Sequence, residues 1–388
     1  MGKHLVDQKI KDINKVETNV YIKGKDTING FVKKAAEENN IKYTTKKVKR
    51  MVKTELFLDE DYIGGYTGMK PSTTHSVAFH LCKDKYKCEK FLSLMDIPTL
   101  NSKLFYEKQK EEAVAYLNNF SQDKFVIKPL SLSGGRGIQF NVDTHNFNRS
   151  WDKSLEIQKE FKSKPYACII QPLLIGFDIR VTIIEGVFSA ALLRIPAHVV
   201  GDGQNTVATL IEKKNQNRSK SEYFNNKLIE FSDVLFQKLE QQNLKLDTVV
   251  EKDRIVHLSH IGNLVAGADS FDITDSISEE LKQLAIKATA AIPGLYTSGV
   301  DIMTPDYTKR EGYVIEVNTN ANNRMHQLPL KGSAQSPYRQ YVESLILQFN
   351  VLHNKPLNEE QITLNNKMKT FLQLKNEYAI KYYQVTTK

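Results

Sequence analysis

The sequence predicts an α+β fold, in which helices and antiparallel strand pairs form separate units. Phe125–Val142 reads as a strand, a glycine-rich turn and a second strand, which is the pattern of a β-hairpin. Asp178–Ile184 and Val187–Arg194 are two apolar strands joined by Glu185-Gly186, a pair that suits a tight antiparallel turn. Apolar residues at helical spacing occur before and after these hairpins.

Length and composition indicate a chain with ample core. The 388 residues, of which 40% are hydrophobic, suggest roughly two or three domains. Aliphatic runs are short, so no transmembrane helix is expected, and MGKHLVDQKI lacks the apolar core of a signal peptide. The three cysteines, Cys82, Cys88 and Cys168, are too few for a disulfide framework and predict a reducing cytosol.

Two weaker signals are set aside. The net charge is +9, and the densest basic cluster is Lys46–Arg50. Such a run suits a nucleic-acid partner, but no aromatic platform or nucleic-acid module accompanies it, so a solvated face is favoured. Cys82 and Cys88, with two nearby histidines, match no zinc-ligand spacing.

Residues 1–83 predict a small α/β domain. Ile28–Asn39 has helical character, and Ile41–Thr45 and Glu55–Leu58 are candidate strands. Gly64–Ser76 is rich in turn formers and hydroxyls and is predicted to be a loop, either beside a substrate or as a plain connector.

Residues 84–170 predict helices and strands around the first hairpin. Lys83–Met95 has helical spacing and ends before Pro98, which stops a helix. A second helix is expected at Glu107–Phe120, and Tyr166–Gln171 is an apolar strand.

Residues 171–388 predict a sheet with helices. Asp178, Arg180 and Thr182 alternate with apolar neighbours, so their side chains share one face. Ser219–Ser232 is polar and is expected to be a mobile excursion. Further helices are expected from a cap near Asn205 or Thr206 to Arg218, at Asp233–Gln242 and Ser278–Ala291, and through the tail from Ser336.

The first hairpin carries a candidate phosphate site at Ser133–Gly137, here called the glycine turn. Glycines permit positive φ and a close backbone approach, and successive N–H groups in such a turn bind anions. Lys128, on the preceding strand, can reach the same phosphates. These features predict a loop that closes over a nucleoside triphosphate. An ordinary hairpin tip with a surface lysine is the alternative, because short motifs also match by chance.

A candidate metal site follows from two apolar strands, Tyr296–Met303 and Tyr313–Asn318. Glu316 and Asn318 are two residues apart, so they share a face, and Asp301 lies in the other strand. Inward carboxylates are costly unless compensated, and Mg²⁺ prefers oxygen ligands. Asp301, Glu316 and Asn318, here called the oxygen-donor trio, are therefore candidate Mg²⁺ ligands. Pairing with lysines or arginines is the alternative, and the glycine turn favours the metal.

These motifs, in this order, resemble the ATP-grasp superfamily of carboxylate–amine ligases, most closely the ligase part of cyanophycin synthetase and the glutathione synthetase part of bifunctional glutathione-forming enzymes. The similarity runs from about Lys83 to Gly332 and is most specific in RIPAHVVGDGQNTVATLIEKKNQN, LSHIGNLVAGADSFDITD, GVDIM and VIEVNTNANNRMH. It implies an ATP-grasp fold with an N-terminal α/β domain at 1–83, a central lid lobe at 84–170, and a C-terminal antiparallel-sheet lobe with a helical tail at 171–388.

The resemblance implies ATP and Mg²⁺ as cofactors, with Mn²⁺ as a substitute. It implies a first nucleotide lysine at Lys85, for which Lys90 is a competing candidate. The other implied nucleotide-binding positions are Lys128, Ser133, Gly134, Gly135, Gly137, Gln171, Pro172, Leu174 and Asp178. The implied metal ligands are Asp301, Glu316 and Asn318. The implied catalytic residues are Arg180, Arg194 and Arg324, and the implied substrate contacts are Asn263, Arg324 and His326.

Two positions depart from the relatives. Gln171 stands where an acid is common, and Asn263–Ala268 keeps only the asparagine and first glycine of an Asn-Leu-Ser-x-Gly-Gly stretch. That stretch lies on the acceptor side in the relatives, so the acceptor does not carry over. The relatives' additional catalytic modules also have no counterpart here, which predicts a free-standing ligase.

The resulting expectation is an ATP-dependent ligase that joins an amino-acid or short-peptide carboxylate to an amine through an acyl phosphate and releases ADP and phosphate. The alternatives are a phosphotransferase acting on a carboxylate or alcohol, and a non-catalytic ATP- or nucleic-acid-binding protein. The expected partners are small-molecule substrates, without nucleic acid or membrane, in a cytoplasmic protein that forms a homodimer or homotetramer as its relatives often do.

Overall fold

The computed structural model describes residues 2–22, 27–120, 124–132 and 134–387. These residues form four sheets, whose neighbouring strands are antiparallel throughout, and helices that pack on them. The predicted α+β class is confirmed. None of the described helices is both long and apolar enough to cross a membrane.

The strands follow one another in two halves of the chain. The first half contains β1 (Lys42–Val48), β2 (Met51–Leu58), β3 (Asp61–Thr67), β4 (Lys70–Pro71), β5 (Lys103–Tyr106), β6 (Phe125–Pro129), β7 (Gln139–Val142) and β8 (Ala167–Pro172). The second half contains β9 (Phe177–Ile184), β10 (Val187–Ile195), β11 (His198–Val200), β12 (Ile255–His257), β13 (Asp269–Asp272), β14 (Ser298–Thr304) and β15 (Tyr313–Asn318).

The helices alternate with these strands. They are α1 (Gly2–Lys15), α2 (Ile28–Glu38), α3 (Ser76–Lys83), α4 (Lys85–Leu94), α5 (Lys110–Asn118), α6 (Phe147–Glu160), α7 (Val207–Ser219), α8 (Asp233–Glu240), α9 (Glu279–Ala291), α10 (Arg324–Gln327), α11 (Pro337–Leu352) and α12 (Glu359–Thr386).

The central sheet has the strand order β13-β10-β9-β14-β15. Along β9, the side chains of Ile179, Val181 and Ile183 alternate onto one face and join the main hydrophobic core with residues of α1, α3, α4 and α9. Each of these buried aliphatic side chains contributes about 1.5–3 kcal/mol to folding. The opposite face of β9 is left for the polar residues between them.

The lid sheet has the order β5-β8-β6-β7 and is covered by α5 and α6. Phe125 and Ile127 of β6 pack with Ile170 of β8 and with Trp151 of α6, all of which are buried. The lid sheet therefore has its own core, and β6 and β7 present the glycine turn at its edge.

The N-terminal sheet has the order β1-β2-β3-β4 and packs on α2 and α11. Its core includes Leu56 and Tyr66 of the sheet with Tyr338 and Tyr341 of α11. In contrast, α3 and α4 pack against the central sheet. The domain boundaries at residues 83 and 170 stay predictions.

Two predictions about loops are wrong. Gly64–Ser76 is not all loop, because β3 runs through Gly64 and Gly65 and pairs with β2. A Cβ on Gly65 would lie 2.0 Å from the Thr54 carbonyl oxygen, so this glycine permits close strand packing rather than a turn. Ser219–Ser232 is anchored rather than a free excursion, because Tyr223 and Phe224 are buried in one core cluster and Ile229 in another, while Phe231 is exposed.

Other elements agree with the predictions. β15 has the predicted bounds, and Thr206 caps α7 by accepting a hydrogen bond from the Thr209 amide at 3.3 Å. Helices α1 and α6 and strands β5 and β11 lie outside the predicted elements.

Candidate active site

The glycine turn has the backbone conformation that its sequence predicts. Gly134, Gly135 and Gly137 have φ values of 70°, 83° and 71°, a region that favours glycine. The Asn263 side-chain amide donates to the Gly134 carbonyl at 3.3 Å, and a Cβ on Gly135 would lie 2.6 Å from Ile261 Cδ1. The turn therefore rests directly on the segment that contains Asn263.

A second contact holds the lid sheet to the same segment. The Phe140 ring of β7 stacks on the His260 ring with centroids 4.8 Å apart and planes inclined by 18°. The predicted site residue Ser133 lies outside the described residues.

Lys128 is half-buried in β6, the strand that leads into the turn. Burial, and to a smaller extent the positive charge of Lys85, lowers its pKa to about 8. Glu316, Glu89 and Asp178 act in the opposite direction on the same pKa. Lys128 thus lies within electrostatic reach of both the lid and the central sheet, as a phosphate-binding lysine requires.

The structure separates the two candidates for the first nucleotide lysine. Lys85 is the first residue of α4, and its Nζ lies 3.6 Å from Glu316 Oε1. Lys90 lies farther along the helix, and its Nζ lies 5.2 Å from the centroid of the Tyr86 ring. Of the two lysines, Lys85 joins Lys128 and Glu316 in one cluster.

The implied nucleotide-binding residues Gln171, Pro172 and Leu174, here called the hinge, lie where the chain passes from β8 of the lid sheet to β9 of the central sheet. Gln171 and Pro172 end β8, and the Gln171 residue is buried, at 4% exposure. The Leu173 amide donates to the Lys124 carbonyl at 2.7 Å, which ties the hinge to β6. A nucleotide-reading role for Gln171, Pro172 and Leu174 stays a prediction.

A network of two arginines and two aspartates occupies the polar face of the central sheet. Asp301 Oδ1 accepts from Arg180 Nε, and Arg180 Nη2 donates to Asp301 Oδ2 at 3.2 Å. Arg194 Nη2 lies 3.2 Å from Asp301 Oδ2 and donates to Asp178 Oδ1 at 2.5 Å. Arg194 therefore bridges the two carboxylates, which lie on β9 and β14.

Burial and charge act in opposite directions on these groups. Burial raises the pKa of Asp301, but Arg180 and Arg194 outweigh it, and the net pKa is lowered. Burial dominates at Asp178, so its pKa is raised despite Arg194. The pKa of Arg194 is raised, because the two carboxylates outweigh the effect of its burial. Asp301 and Arg194 are consequently charged at neutral pH.

The oxygen-donor trio lies on two paired strands. Asp301 is opposite Glu316 in the register of β14 and β15, and Asn318 Nδ2 lies 3.4 Å from Asp301 Oδ2. Asp301 also pairs with Arg180 and Arg194, and Glu316 pairs with Lys85. Pairing of these carboxylates with basic residues is the alternative that the sequence left open. Within the described residues, no cluster of three or more His, Cys, Asp or Glu side chains could hold a metal. Two carboxylates and an amide oxygen nevertheless form the hard donor set that Mg²⁺ prefers.

The NRMH motif places its two candidate residues differently. His326 is fully buried, and its Nε2 lies 2.8 Å from Thr182 Oγ1 of β9. Burial, with the charges of Arg180 and Arg194, lowers the pKa of His326 to about 3, so the ring is neutral at pH 7. His326 is therefore buried against the face of β9 that carries Arg180, and its role as a substrate contact stays a prediction. Arg324 is half-buried beside it.

Sequence reasoning missed Gly262. A Cβ on this residue would lie 2.8 Å from Asp178 Oδ2 and 3.0 Å from Arg194 Cβ. The glycine lets the Asn263 segment approach the ion pair closely, and its only sequence signal is its place between His260 and Asn263.

Together, a glycine turn on a small antiparallel sheet and a charged face on a second sheet define a protein with a two-lobed nucleotide-binding fold. A family model described as the ATP-grasp domain matches residues 82–322. The chain belongs to the ATP-grasp family, which confirms the predicted resemblance.

Named relatives agree with this family. A cyanophycin synthetase from Synechocystis is 35% identical over 236 residues, covering 58% of this chain and 26% of the relative. A bifunctional glutathione biosynthesis protein from Streptococcus mutans is 30% identical over 234 residues, covering 58% of this chain and 30% of the relative. This chain therefore spans less than a third of the length of either relative.

A solved structure extends the similarity to the fold. The crystal structure of a bifunctional glutathione synthetase from Pasteurella multocida superposes with a TM-score of 0.58 at 26% sequence identity. The match covers 83% of this chain and 43% of that chain.

Proposed function

We propose that this protein is an ATP-dependent ligase that forms an amide bond between an amino-acid or short-peptide carboxylate and an amine, releasing ADP and phosphate. One observation carries the proposal. Lys85 Nζ lies 3.6 Å from Glu316 Oε1 of the central sheet, and the charges of both residues act on Lys128, which lies on the lid-sheet strand that leads into the glycine turn. An anion cradle and a carboxylate–lysine cluster at one point suit a metal-bound triphosphate.

The phosphates of ATP would lie between the two sheets. Lys85 and Lys128 would supply compact positive charges, and the amides of Gly134, Gly135 and Gly137 would supply backbone donors. The lowered pKa of Lys128, about 8, reflects a cation that is buried beside another cation. A polyphosphate would relieve this repulsion.

Mg²⁺, with Mn²⁺ as a substitute, would be held by Asp301, Glu316 and Asn318. The all-oxygen donor set supports this assignment, as does the lowered pKa of Asp301, which keeps that carboxylate ionised. When bound, the cation neutralises charge on the β- and γ-phosphates.

The reaction has two steps. A substrate carboxylate oxygen attacks the γ-phosphorus, the bond to ADP breaks, and an acyl phosphate forms. An amine then attacks the acyl carbon, loses a proton, and expels phosphate to leave an amide. Arg180 and Arg194 would stabilise the negative charge on the attacking carboxylate and on the tetrahedral intermediate, because both are fixed in place by aspartates before substrate binds.

The acyl phosphate must be kept from water. The contacts of the glycine turn with Asn263 and Ile261 would close the site over it. Asp178, one of the implied nucleotide-binding residues, is paired with Arg194, so a contact with the nucleotide would share that carboxylate.

An ADP-release screen of amino acids and dipeptides, tested singly and in pairs, examines this proposal. ADP and phosphate should appear only when a carboxylate and an amine are both present, and mass spectrometry should detect the amide. Release of AMP and pyrophosphate would reject the proposal. Turnover with one substrate and no amide would indicate a phosphotransferase, and unchanged turnover in Asp301→Ala would remove the oxygen-donor trio from the reaction.

We also propose that the protein acts on small molecules in the cytosol. The support is chemical, because Cys82, Cys88 and Cys168 are all free thiols, as expected in a reducing compartment.

A further inference from the structure

The segment after α7 forms one wall beside the candidate active site. Tyr223 and Phe224 are buried, at 3% and 0% exposure, and pack in one cluster with Leu264 and Leu328. Leu264 follows Asn263, which contacts the glycine turn. Tyr223 is therefore fixed to the segment on which the lid sheet rests.

Two cations flank the Tyr223 ring. Lys227 Nζ lies 3.8 Å from the ring centroid, and Arg324 Cζ lies 4.9 Å from it. Lys227 also donates to the Tyr223 carbonyl oxygen and, at 3.3 Å, to Asn226 Oδ1. The cation–π contact holds the Lys227 ammonium in place but does not neutralise its charge.

Lys227 differs from the neighbouring Arg218 in its carboxylate partners. Arg218 is buried, and its Nη1 is paired with Asp269 Oδ1 at 2.7 Å. In the described part of the chain, no carboxylate forms a salt bridge with Lys227. Burial, together with the charges of Arg324 and Arg218, lowers the pKa of Lys227 to about 8. A half-buried cation in this setting gains from an anionic ligand.

The place of Lys227 relates it to the reacting centre. Arg324 begins α10, and His326 of the same helix contacts Thr182 on the face of β9 that carries Arg180. The short helix α10 therefore connects the segment that contains Tyr223 with Arg180 and Arg194 of the central sheet. A substrate bound by Arg180 and Arg194 would extend along α10 towards Lys227.

We propose that Lys227, fixed on the Tyr223 ring, binds a carboxylate of the substrate that does not take part in amide formation. The substrate class is then an amino acid or peptide that retains a free carboxylate away from the new bond. This inference rests on the proposed ligase function and makes Lys227 a specificity-determining residue. The carboxylate belongs either to the acyl donor or to the amine, and the two arms of the test below distinguish them.

The test compares free acids with their carboxamides in the ADP-release assay. Each substrate that supports turnover is replaced in turn by the analogue in which its non-reacting carboxylate is an amide. For one of the two substrates, the wild-type protein should show a KM for the acid that is about tenfold or more below that for the amide, as expected for a hydrogen bond to a charged group. Equal KM values for acid and amide in both arms would overturn the proposal without any variant.

Variants then assign the preference to Lys227. Lys227→Met should raise the KM for the acid to that for the amide, with the KM for the amide and for ATP unchanged. Lys220→Met is the matched control, because Lys220 is an exposed lysine of the same segment bonded to Asn217 Oδ1 at 2.9 Å, and it should behave as wild type. An equal rise for acid and amide, or a raised KM for ATP, would contradict the carboxylate role.

The failure of this inference differs from the failure of the ligase function. If no pair of a carboxylate and an amine causes the wild-type protein to release ADP, the ligase proposal fails and this inference fails with it. If ADP is released and Lys227→Met keeps the full preference for the acid, only the role of Lys227 is rejected.

Discussion

Lys85 and Lys90 show how much one side-chain direction matters. Both lie on α4, but Lys85 faces Glu316 while Lys90 lies over the Tyr86 ring. The family resemblance implied Lys85 as the first nucleotide lysine and left Lys90 as a competing candidate. Their surroundings now give the two lysines different predicted effects.

Replacing Lys85 by Met should weaken ATP binding roughly tenfold to a hundredfold. The physical reason is the loss of a charged donor to phosphate, worth about 1.5–3 kcal/mol. Lys90→Met is the matched control and should leave affinity unchanged. Isothermal titration with a non-hydrolysable ATP analogue measures both, and equal losses in the two variants would contradict the assignment of Lys85.

At the scale of elements, alanine substitutions at two positions of the glycine turn can be compared. Gly134 and Gly135 both have positive φ, so alanine at either position costs about 1–2 kcal/mol of backbone strain. Only at Gly135 does a Cβ also meet Ile261, at 2.6 Å; at Gly134 nothing lies within 4 Å. The difference between the two variants therefore isolates the contact of the turn with the Asn263 segment.

Gly135→Ala should reduce ADP release further than Gly134→Ala, because the extra methyl group pushes the turn away from Ile261. Steady-state kinetics on both variants measures the effect, with Gly134→Ala as the control for backbone strain. Indistinguishable rates would show that closure of the turn over this segment is not needed for turnover.

Helix α7 is tied to the central sheet by a buried carboxylate. Asp269 of β13 is paired with Arg218 at 2.7 Å and with Lys214 Nζ at 2.7 Å, and all three belong to one network. Burial raises the pKa of Asp269, but Lys214, His198 and Arg218 outweigh it and lower the pKa to about 2. Since the folded-state pKa lies below the unfolded value, ionised Asp269 stabilises the protein at neutral pH.

Asp269→Asn should lower the free energy of unfolding by about 3–5 kcal/mol at pH 7, because it leaves buried cations without their partner. The stabilisation is present above about pH 4 and is lost as the pH falls towards 2. Urea unfolding of both proteins at pH 7 and near pH 2.5 should show the difference shrinking. A difference that stays constant with pH would contradict the role of the ionised carboxylate.

The elements that sequence predicted share a simple cause. The alternation in YVIEVN reports a strand with one apolar and one polar face, so β15 and the shared face of Glu316 and Asn318 followed directly. Gly65 was misread because a glycine that permits close strand packing carries the same letter as a turn glycine. Helix α1 was missed because its apolar residues Ile10 and Ile13 acquire a partner only in the folded core.

At the scale of the whole molecule, the site depends on contacts that no local pattern contains. Tyr223 meets Arg324, and Asn263 meets Gly134, across long stretches of intervening chain. The family resemblance supplied the order of the motifs and the residues on the central sheet. The resemblance did not predict the packing of the segment that contains Tyr223. This segment reads as a polar loop, and its packing is decided by the two aromatic residues Tyr223 and Phe224.

The N-terminal sheet illustrates the same point on a larger scale. Its core is completed by Tyr338 and Tyr341 of α11, which come from the far end of the chain. Tyr66 packs edge-on against both rings, with centroids 5.7 Å and 4.8 Å away. The chain therefore folds as interleaved units, and pattern reading that proceeds from one end to the other finds the elements more readily than their partners.

In the proposed reaction, the substrate carboxylate is converted to an acyl phosphate before the amide forms. The most direct measurement uses the carboxylate substrate found in the ADP-release screen, labelled with ¹⁸O in both carboxylate oxygens, and mass spectrometry of the released phosphate. A reaction through the acyl phosphate should leave one ¹⁸O atom in each phosphate and one in each amide product. Unlabelled phosphate released alongside the amide would contradict it.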